Sequence, residues 1–254
     1  MVASIEAGAV VVLADEEGKR YLVRAAGGAD RVKGVGVFAG EKLVGLSWGS
    51  VLPHGSKSYR LLRPGIGDVV QAIERKAQIV QPKDASRIVF ECDVGSGARV
   101  VESGIGSGAL TSVLAWAVAP SGRVTTYEIR KDFADVARSN LRRAGLDALV
   151  DVKLGDVTKG IDERGVDAVV LDIPNPWDAV AHAREALRED GHVCCYTPLV
   201  SQMEQARRAL ERQGFRDVRS LELMERPWVS HEMGSRPDHD VLGHTAFLTF
   251  ARKA

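Results

Sequence analysis

Apolar and polar positions change their period once along the chain, near residue 64. Before it, the short β-favouring runs AVVVLA, RYLVRA and GVGVFA are separated by turn formers such as DEEGK and AGGAD. That texture predicts hairpins in a small β-rich domain. RPGIGDVVQAIERKAQIVQPKD follows, predicting a short amphipathic helix and then an extended segment, because the residue before Pro82 is pushed out of the helical region. From about residue 85, strand-like runs at 98–103, 122–128, 148–154, 166–172 and 191–197 alternate with helical patterns at 109–119, 131–144, 176–188 and 199–213. The alternation predicts an α/β fold with a doubly wound, mostly parallel sheet. The tail holds two long β-type runs, FRDVRSLELMERPWVSHEM and GHTAFLTFARK, expected to close that sheet as an antiparallel pair. The expected organisation is a β-rich domain over 1–64, a connector over 65–84 and the sheet domain over 85–254.

Composition narrows this picture. With 254 residues, 45% of them hydrophobic, the chain can bury a proper core. No segment approaches the roughly 18 uninterrupted apolar residues of a membrane span, and the first residues lack a basic stretch ahead of their apolar run. A soluble, cytoplasmic protein is expected. Cys92, Cys194 and Cys195 form no CxxC pair and have no histidine at zinc spacing, so neither a metal site nor a disulfide framework is expected. Basic and acidic residues number 34 each. Net charge therefore carries no nucleic-acid signature, and a polyanion would need a local patch or an assembly of subunits.

The first strand of the sheet delivers VVESGIGSGALT, a glycine-rich turn opening a helix, where backbone N–H groups and the helix dipole face a ligand. Gly104, Gly106 and Gly108 form GxGxG. The dinucleotide fingerprint needs its third glycine one place later, so a nicotinamide cofactor is the less favoured occupant. Glu102 precedes the loop, a carboxylate placed to organise the turn and attract a cation. Glu128 ends the next strand, at the position from which an acid accepts ribose hydroxyls. Asp156, in KLGD, follows the third strand, where a carboxylate can accept from an adenine amino group. The fourth strand ends in VVLDIPNPWDAV. There Pro174 and Pro176 restrict the backbone beyond Asp172 and Trp177 offers a packing surface.

These features together resemble the class I S-adenosylmethionine-dependent methyltransferases. RLLRPGIGDVV, QIVQPKDA, VVESGIGSGALT, RVTTYEIRKDF, VVLDIPNPWDAV, YTPLVSQ and GHTAFLTFARK narrow the resemblance to the tRNA (adenine-N1)-methyltransferases of the T-loop. It extends over nearly the whole chain and is strongest to archaeal members, which modify position 58 and often 57. The resemblance implies a seven-stranded Rossmann-like methyltransferase sheet, S-adenosyl-L-methionine as cofactor, the T-arm of tRNA as partner, and a homotetramer. It makes Asp172 the expected catalytic residue, and it makes Glu102, Gly104, Gly106, Ser107, Gly108, Ala109, Leu110, Glu128, Asp156 and Asp172 the expected cofactor contacts. Gln81, Lys83 and Arg236 are the expected RNA contacts.

Methyl transfer from a sulfonium is an in-line displacement, so such a site mainly positions the nucleophile and excludes water. A carboxylate at the base edge can accept from the adenine amino group and stabilise the positive charge developing on the ring. Asn175 supports a rival reading, because methylases of exocyclic amino groups carry a D/N-P-P-Y/F/W motif; here the second proline is missing. Gln81 stands where the family usually has Tyr or His, and Ser103 where Ala is usual. Basic residues gather over 54–87 as Lys57, Arg60, Arg63, Arg75, Lys76, Lys83 and Arg87. Arg226, His231, Arg236 and His239 form a second candidate patch. Two readings from other classes stand beside the leading one: a non-catalytic RNA-binding subunit, and a protein methyltransferase of the isoaspartyl type.

Overall fold

The computed structural model describes residues 3–254. Its first part holds β1 Val10–Ala14, β2 Arg20–Arg24, β3 Ala29–Val32, β4 Gly36–Ala39, β5 Val51–His54 and β6 Lys57–Leu62. The helices α1 Ile66–Ala72 and α2 Pro82–Glu91 follow. The alternating part runs β7 Arg99–Ser103, α3 Ala109–Val118, β8 Arg123–Glu128, α4 Lys131–Ala144, β9 Val150–Leu154, β10 Val166–Leu171, α5 Val180–Ala186, β11 Leu187–Thr197 and α6 Val200–Arg212. The tail adds β12 Arg216–Leu221, β13 Trp228–His231, β14 Gly234–Pro237 and β15 Phe247–Arg252.

The large sheet has seven strands in the order β12-β15-β11-β10-β7-β8-β9. β11, β10, β7, β8 and β9 are mutually parallel, while β15 runs antiparallel to both β11 and β12. The chain leaves β7 toward β8 on one side and returns to β10 on the other, so the crevice outside the carboxyl ends of β7 and β10 is the topological switch point, where open α/β sheets bind ligands. One face of the sheet packs on α2, α3 and α4 through Ile88, Leu114 and Leu141. The other packs on α5 and α6 through Val180, Ala183 and Leu210.

A four-stranded antiparallel sheet, β2-β1-β6-β5, stands at the front of the chain. Val11, Val12, Leu13 and Ala14 of β1 are all buried, because both faces of this strand are covered. Val11 and Leu13 join a local core with Phe38 and Tyr59. Val12 and Ala14 join the core of the large sheet beside Leu141 and Ala144. The front sheet is thus cemented to α4 by apolar contact, as a continuous apolar run with no polar alternation requires.

Some expectations need correction. The predicted helix over 176–188 is a short 3-10 turn at Pro176–Asp178 followed by α5, and β11 begins already at Leu187. Leu187 pairs with Val166 across β10, so tertiary pairing ends the helix early. The first tail run is not one strand: β12 stops at Leu221, and Trp228–His231 belongs to a separate hairpin with β14. The helix α2 was not expected. Its signal is present, since Pro82 occupies the first turn and Ala85, Ile88, Val89 and Cys92 recur at helical spacing.

Candidate active site

The carboxyl ends of four parallel strands are laced by backbone hydrogen bonds. Asp172 N–H donates to the Ser103 carbonyl at 3.0 Å, Gly104 N–H to the Tyr127 carbonyl at 3.0 Å, and Gly155 N–H to the Glu128 carbonyl at 3.0 Å. These bonds hold Ser103, Gly104, Glu128, Asp156 and Asp172 around one cavity of about 410 Å³, a size suited to a small-molecule ligand. Gly104 is indispensable to this junction. Its φ is +86°, and a Cβ there would lie 1.9 Å from the carbonyl oxygen of Asp172.

Each strand-end acid has a distinct environment. Glu102, 1% exposed, lies beneath the cavity and accepts from the Thr111 hydroxyl at 2.6 Å. Burial pushes its pKa up to about 7. Glu128 is buried and accepts from the Arg130 N–H at 2.9 Å. Asp156 accepts from the Thr158 hydroxyl at 2.7 Å and from its N–H at 3.0 Å, bonds that hold its carboxyl below the ordinary range. Asp172 differs from all three. It is half-buried, lines the cavity, and burial together with the nearby Glu102 and Glu128 carboxylates raises its pKa to about 7. Among the described residues, no donor is hydrogen-bonded to its carboxylate.

The loop beyond Asp172 is fixed from several sides. The Gln202 amide donates to the Pro174 carbonyl at 2.8 Å, and Pro176 is buried. Trp177 packs partly buried against the core of the second face. The Asn175 amide donates to Asp178 at 2.5 Å, which commits it to the turn rather than to a reacting base.

The glycine loop behaves less uniformly than its motif implies. Gly106, Ser107, Gly108, Ala109 and Leu110 do not line the cavity. The Ser107 hydroxyl accepts from the N–H groups of Lys76 and Ala77 at 2.9 and 3.2 Å. It ties the connector across the loop. Ala109 and Leu110 are buried in apolar clusters, and what they can present is the partnerless N–H groups of a helix's first turn.

Of the residues expected to meet RNA, none lines this cavity. Gln81 is the half-buried residue preceding α2 and borders a neighbouring cleft with Arg20 and Arg75. Lys83 is turned inward, its ammonium 2.7 Å from both Asp84 and the Thr245 hydroxyl. Thr245 also donates to Asp84 at 2.7 Å, so Lys83 closes a triad that pins α2 to the segment before β15. Arg236 is exposed on β14. His244 places its two ring nitrogens 2.5 Å from Glu222 and 2.7 Å from the Pro198 carbonyl. Two acceptors favour the doubly protonated ring, and its pKa is raised, chiefly by the Glu222 contact.

A family model described as "tRNA methyltransferase complex GCD14 subunit" matches residues 62–234, from the end of β6 to the tail hairpin. The chain belongs to this family. The chain is 35% identical to the tRNA (adenine(57)-N(1)/adenine(58)-N(1))-methyltransferase TrmI of Methanocaldococcus jannaschii over 269 aligned positions, covering 95% of this chain and 94% of that protein. A SAM-dependent O-methyltransferase from Thermotoga maritima superposes with a TM-score of 0.82 at 32% identity, covering 99% of this chain and 95% of that one. The tRNA (m1A58) methyltransferase TrmI of Aquifex aeolicus gives 0.76 at 26% identity, with 99% of both chains covered.

Within this GCD14-family chain, several cavity residues lie outside the set expected from the motifs of the sequence. Ser103 is 1% exposed and lines the cavity, and its hydroxyl has no hydrogen-bond partner among the described residues. Arg130, Thr158 and Ile173 also line the wall. Each stands one or two residues beyond a strand-end acid, a position from which the loop must enclose whatever the acid binds. Among the described residues there is no group of His, Cys, Asp and Glu able to hold a metal ion.

Proposed function

We propose that the chain is a tRNA methyltransferase that moves a methyl group from S-adenosyl-L-methionine to N1 of adenine in the T-loop, at position 58 and possibly, as the M. jannaschii relative's name indicates, also at 57. The observation that carries the reading is the unpartnered Asp172 carboxylate at the switch-point cavity, beside Gly104 and the orphaned Ser103 hydroxyl. A buried hydroxyl without a partner is costly unless a ligand supplies one. The residues fit this cofactor: Glu128 is the group for the ribose hydroxyls, Asp156 for the adenine edge, and the glycine turn leaves room for close approach.

When bound, S-adenosylmethionine supplies a methyl group already activated on a sulfonium centre. What the chain must add is position, dryness and charge. Asp172, with no donor of its own, is free to accept from the amino group of the target adenine and to stabilise the cation that forms on its ring. The fixed loop of Pro174, Pro176 and Trp177 keeps that carboxylate from swinging away. Glu102 and Glu128 add negative potential beneath it.

The domain division at about residues 64 and 84 belongs to this reading, as does a homotetramer acting in the cytoplasm. No helix among the described residues is long and apolar enough to cross a membrane. The deciding experiment incubates purified protein with unmodified tRNA and methyl donor and follows it by nucleoside mass spectrometry. The expected product is 1-methyladenosine from the T-arm. The Thermotoga neighbour is named an O-methyltransferase, so a ribose-methylated product, or methylation of isoaspartyl peptide instead of tRNA, would overturn the proposal. Cofactor binding without methylation of any tRNA would favour the non-catalytic subunit.

A further inference from the structure

The seam between the front sheet and the helices of the large sheet is not filled by side chains. Three cavities, of about 440, 520 and 570 Å³, follow one another along it. They share walls: Arg20, Gln71 and Arg75 border the first and second, and Leu22, Glu74 and Arg143 the second and third. Together they make one groove. It begins at Gln81 and Pro82, at the start of α2, and ends at Gly28 and Arg31 beside β3.

Cations dominate its walls. The carboxylates that line it, Glu17, Asp68 and Glu74, are each taken up by one of its own bases: Lys19 at 2.7 Å, Arg20 at 3.2 Å and Arg143 at 3.4 Å. Among the described side chains, which do not include that of Asp30, no carboxylate lies within ion-pair distance of Arg24, Arg31, Lys33, Arg75 or Arg142, which also line it. Lys33, Arg75 and Arg142 are exposed. Arg24 donates to the Arg142 carbonyl at 2.9 Å, which holds β2 against the end of α4 and brings two guanidinium groups to one wall. Such an excess is pronounced in a chain whose basic and acidic residues balance at 34 each.

The distribution of these cations selects the ligand class. They come from β2, β3, the connector and α4, and they are strung along three consecutive cavities rather than gathered around a point. A single small anion would engage one or two of them. A phosphodiester strand offers a negative charge at every nucleotide and can engage them in series. The groove also joins the candidate active site: Arg75 faces it, while two residues on the Ala77 methyl approaches Gly106, coming within 4.0 Å of where a Cβ would stand. The connector is a wall common to groove and glycine loop.

We infer that this seam groove binds the sugar-phosphate backbone of the tRNA strand flanking the methylated adenine, an inference that rests on the function proposed above. Its test uses the full chain, unmodified tRNA and the triple variant Lys33→Ala/Arg75→Ala/Arg142→Ala, with binding followed by fluorescence anisotropy between 50 and 200 mM salt. The triple variant should bind tRNA on the order of 10–100-fold more weakly, and the slope of log affinity against log salt should fall by about 3, close to one per lost phosphate contact. Its affinity for S-adenosylmethionine, measured by calorimetry, should match the parent's, which also shows that it is folded. Arg75→Lys/Arg142→Lys should retain the parental slope, and Arg208→Ala, on α6 across the sheet, should leave binding as it was. The groove assignment is overturned if the parent binds tRNA and the triple variant binds it with the same affinity and slope, or if Arg208→Ala weakens binding as much. A parent that neither binds nor methylates tRNA would sink the functional reading itself, and the groove with it.

Discussion

Two concavities of the molecule carry opposite charge. The cavity at the strand ends is bordered by Glu128, Asp156 and Asp172 with Glu102 beneath, whereas the seam groove is bordered by arginines and lysines whose own carboxylates are already paired. The first suits a small cation and the second a polyanion. A methyltransferase of RNA needs both, because its donor is a sulfonium and its acceptor is a chain of phosphates. Net charge averages them to zero, so an overall balance says little about what either surface binds.

The difference can be attacked from either side. The largest effect is expected at the acidic end: Asp172→Ala should cut turnover by about 10²–10³ or more, the range seen when a group stabilising transition-state charge is removed, while the calorimetric affinity for S-adenosylmethionine falls only several-fold. Full activity in that variant would detach the carboxylate from the chemistry. Salt should separate the two concavities next. Between 50 and 200 mM, tRNA affinity resting on about four phosphates should fall roughly a hundredfold, against a change of less than about twofold for the cofactor in its partly enclosed cavity.

Gly104→Ala probes the junction itself. Its new methyl group would collide with the Asp172 carbonyl, so the β7 and β10 ends must part, at a cost of about 2–3 kcal/mol in thermal stability. Cofactor affinity should drop with it, while tRNA binding at the groove persists. That is the reverse of the pattern expected for the groove variant.

The smallest effects concern pH. Because Asp172 and Glu102 have pKa values raised to about 7, the folded chain holds their protons more tightly than the unfolded one. Stability therefore falls as pH climbs from the ordinary carboxylate range near 4 to about 7. Asp172→Asn removes one of the two penalties and should be more stable than the parent at pH 8, by roughly 1–2 kcal/mol, but not at pH 4. By the same reasoning, affinity for cationic S-adenosylmethionine should rise several-fold from pH 6 to 8, with a flatter response for its neutral thioether product. Equal pH dependence for the two ligands would show that the acidic cavity does not recognise charge.

Much of the large sheet was legible because its signals are local. Strand and helix periods, the GxGxG turn and the acids at the ends of β8 and β10 each occupy a few adjacent residues. What the local pattern leaves out has one physical cause. Ser107 belongs to a ligand-binding motif, yet its hydroxyl is committed to a connector some 30 residues earlier. Lys83 lies in a basic stretch, yet its ammonium is drawn inward by the fully buried Asp84 and by Thr245, 162 residues on. A buried carboxylate demands a partner, and the chain does not announce which cation will answer. Ser103 goes the other way: it lines the cavity, and its hydroxyl has no partner among the described residues.

By itself, then, the sequence determined the alternation of elements, the parallel sheet, the glycine turn and the placing of carboxylates at strand ends, since periodicity and strand termini are properties of neighbouring residues. Only the tertiary structure decided which charges remain available. Arg24, Arg75 and Arg142 lie far apart along the chain, and they share a groove because β1 buries both its faces and brings the front sheet down onto α4. Burial and ion pairing act through space, so the same count of bases and acids could have been spent entirely within the protein or, as here, left open along one seam.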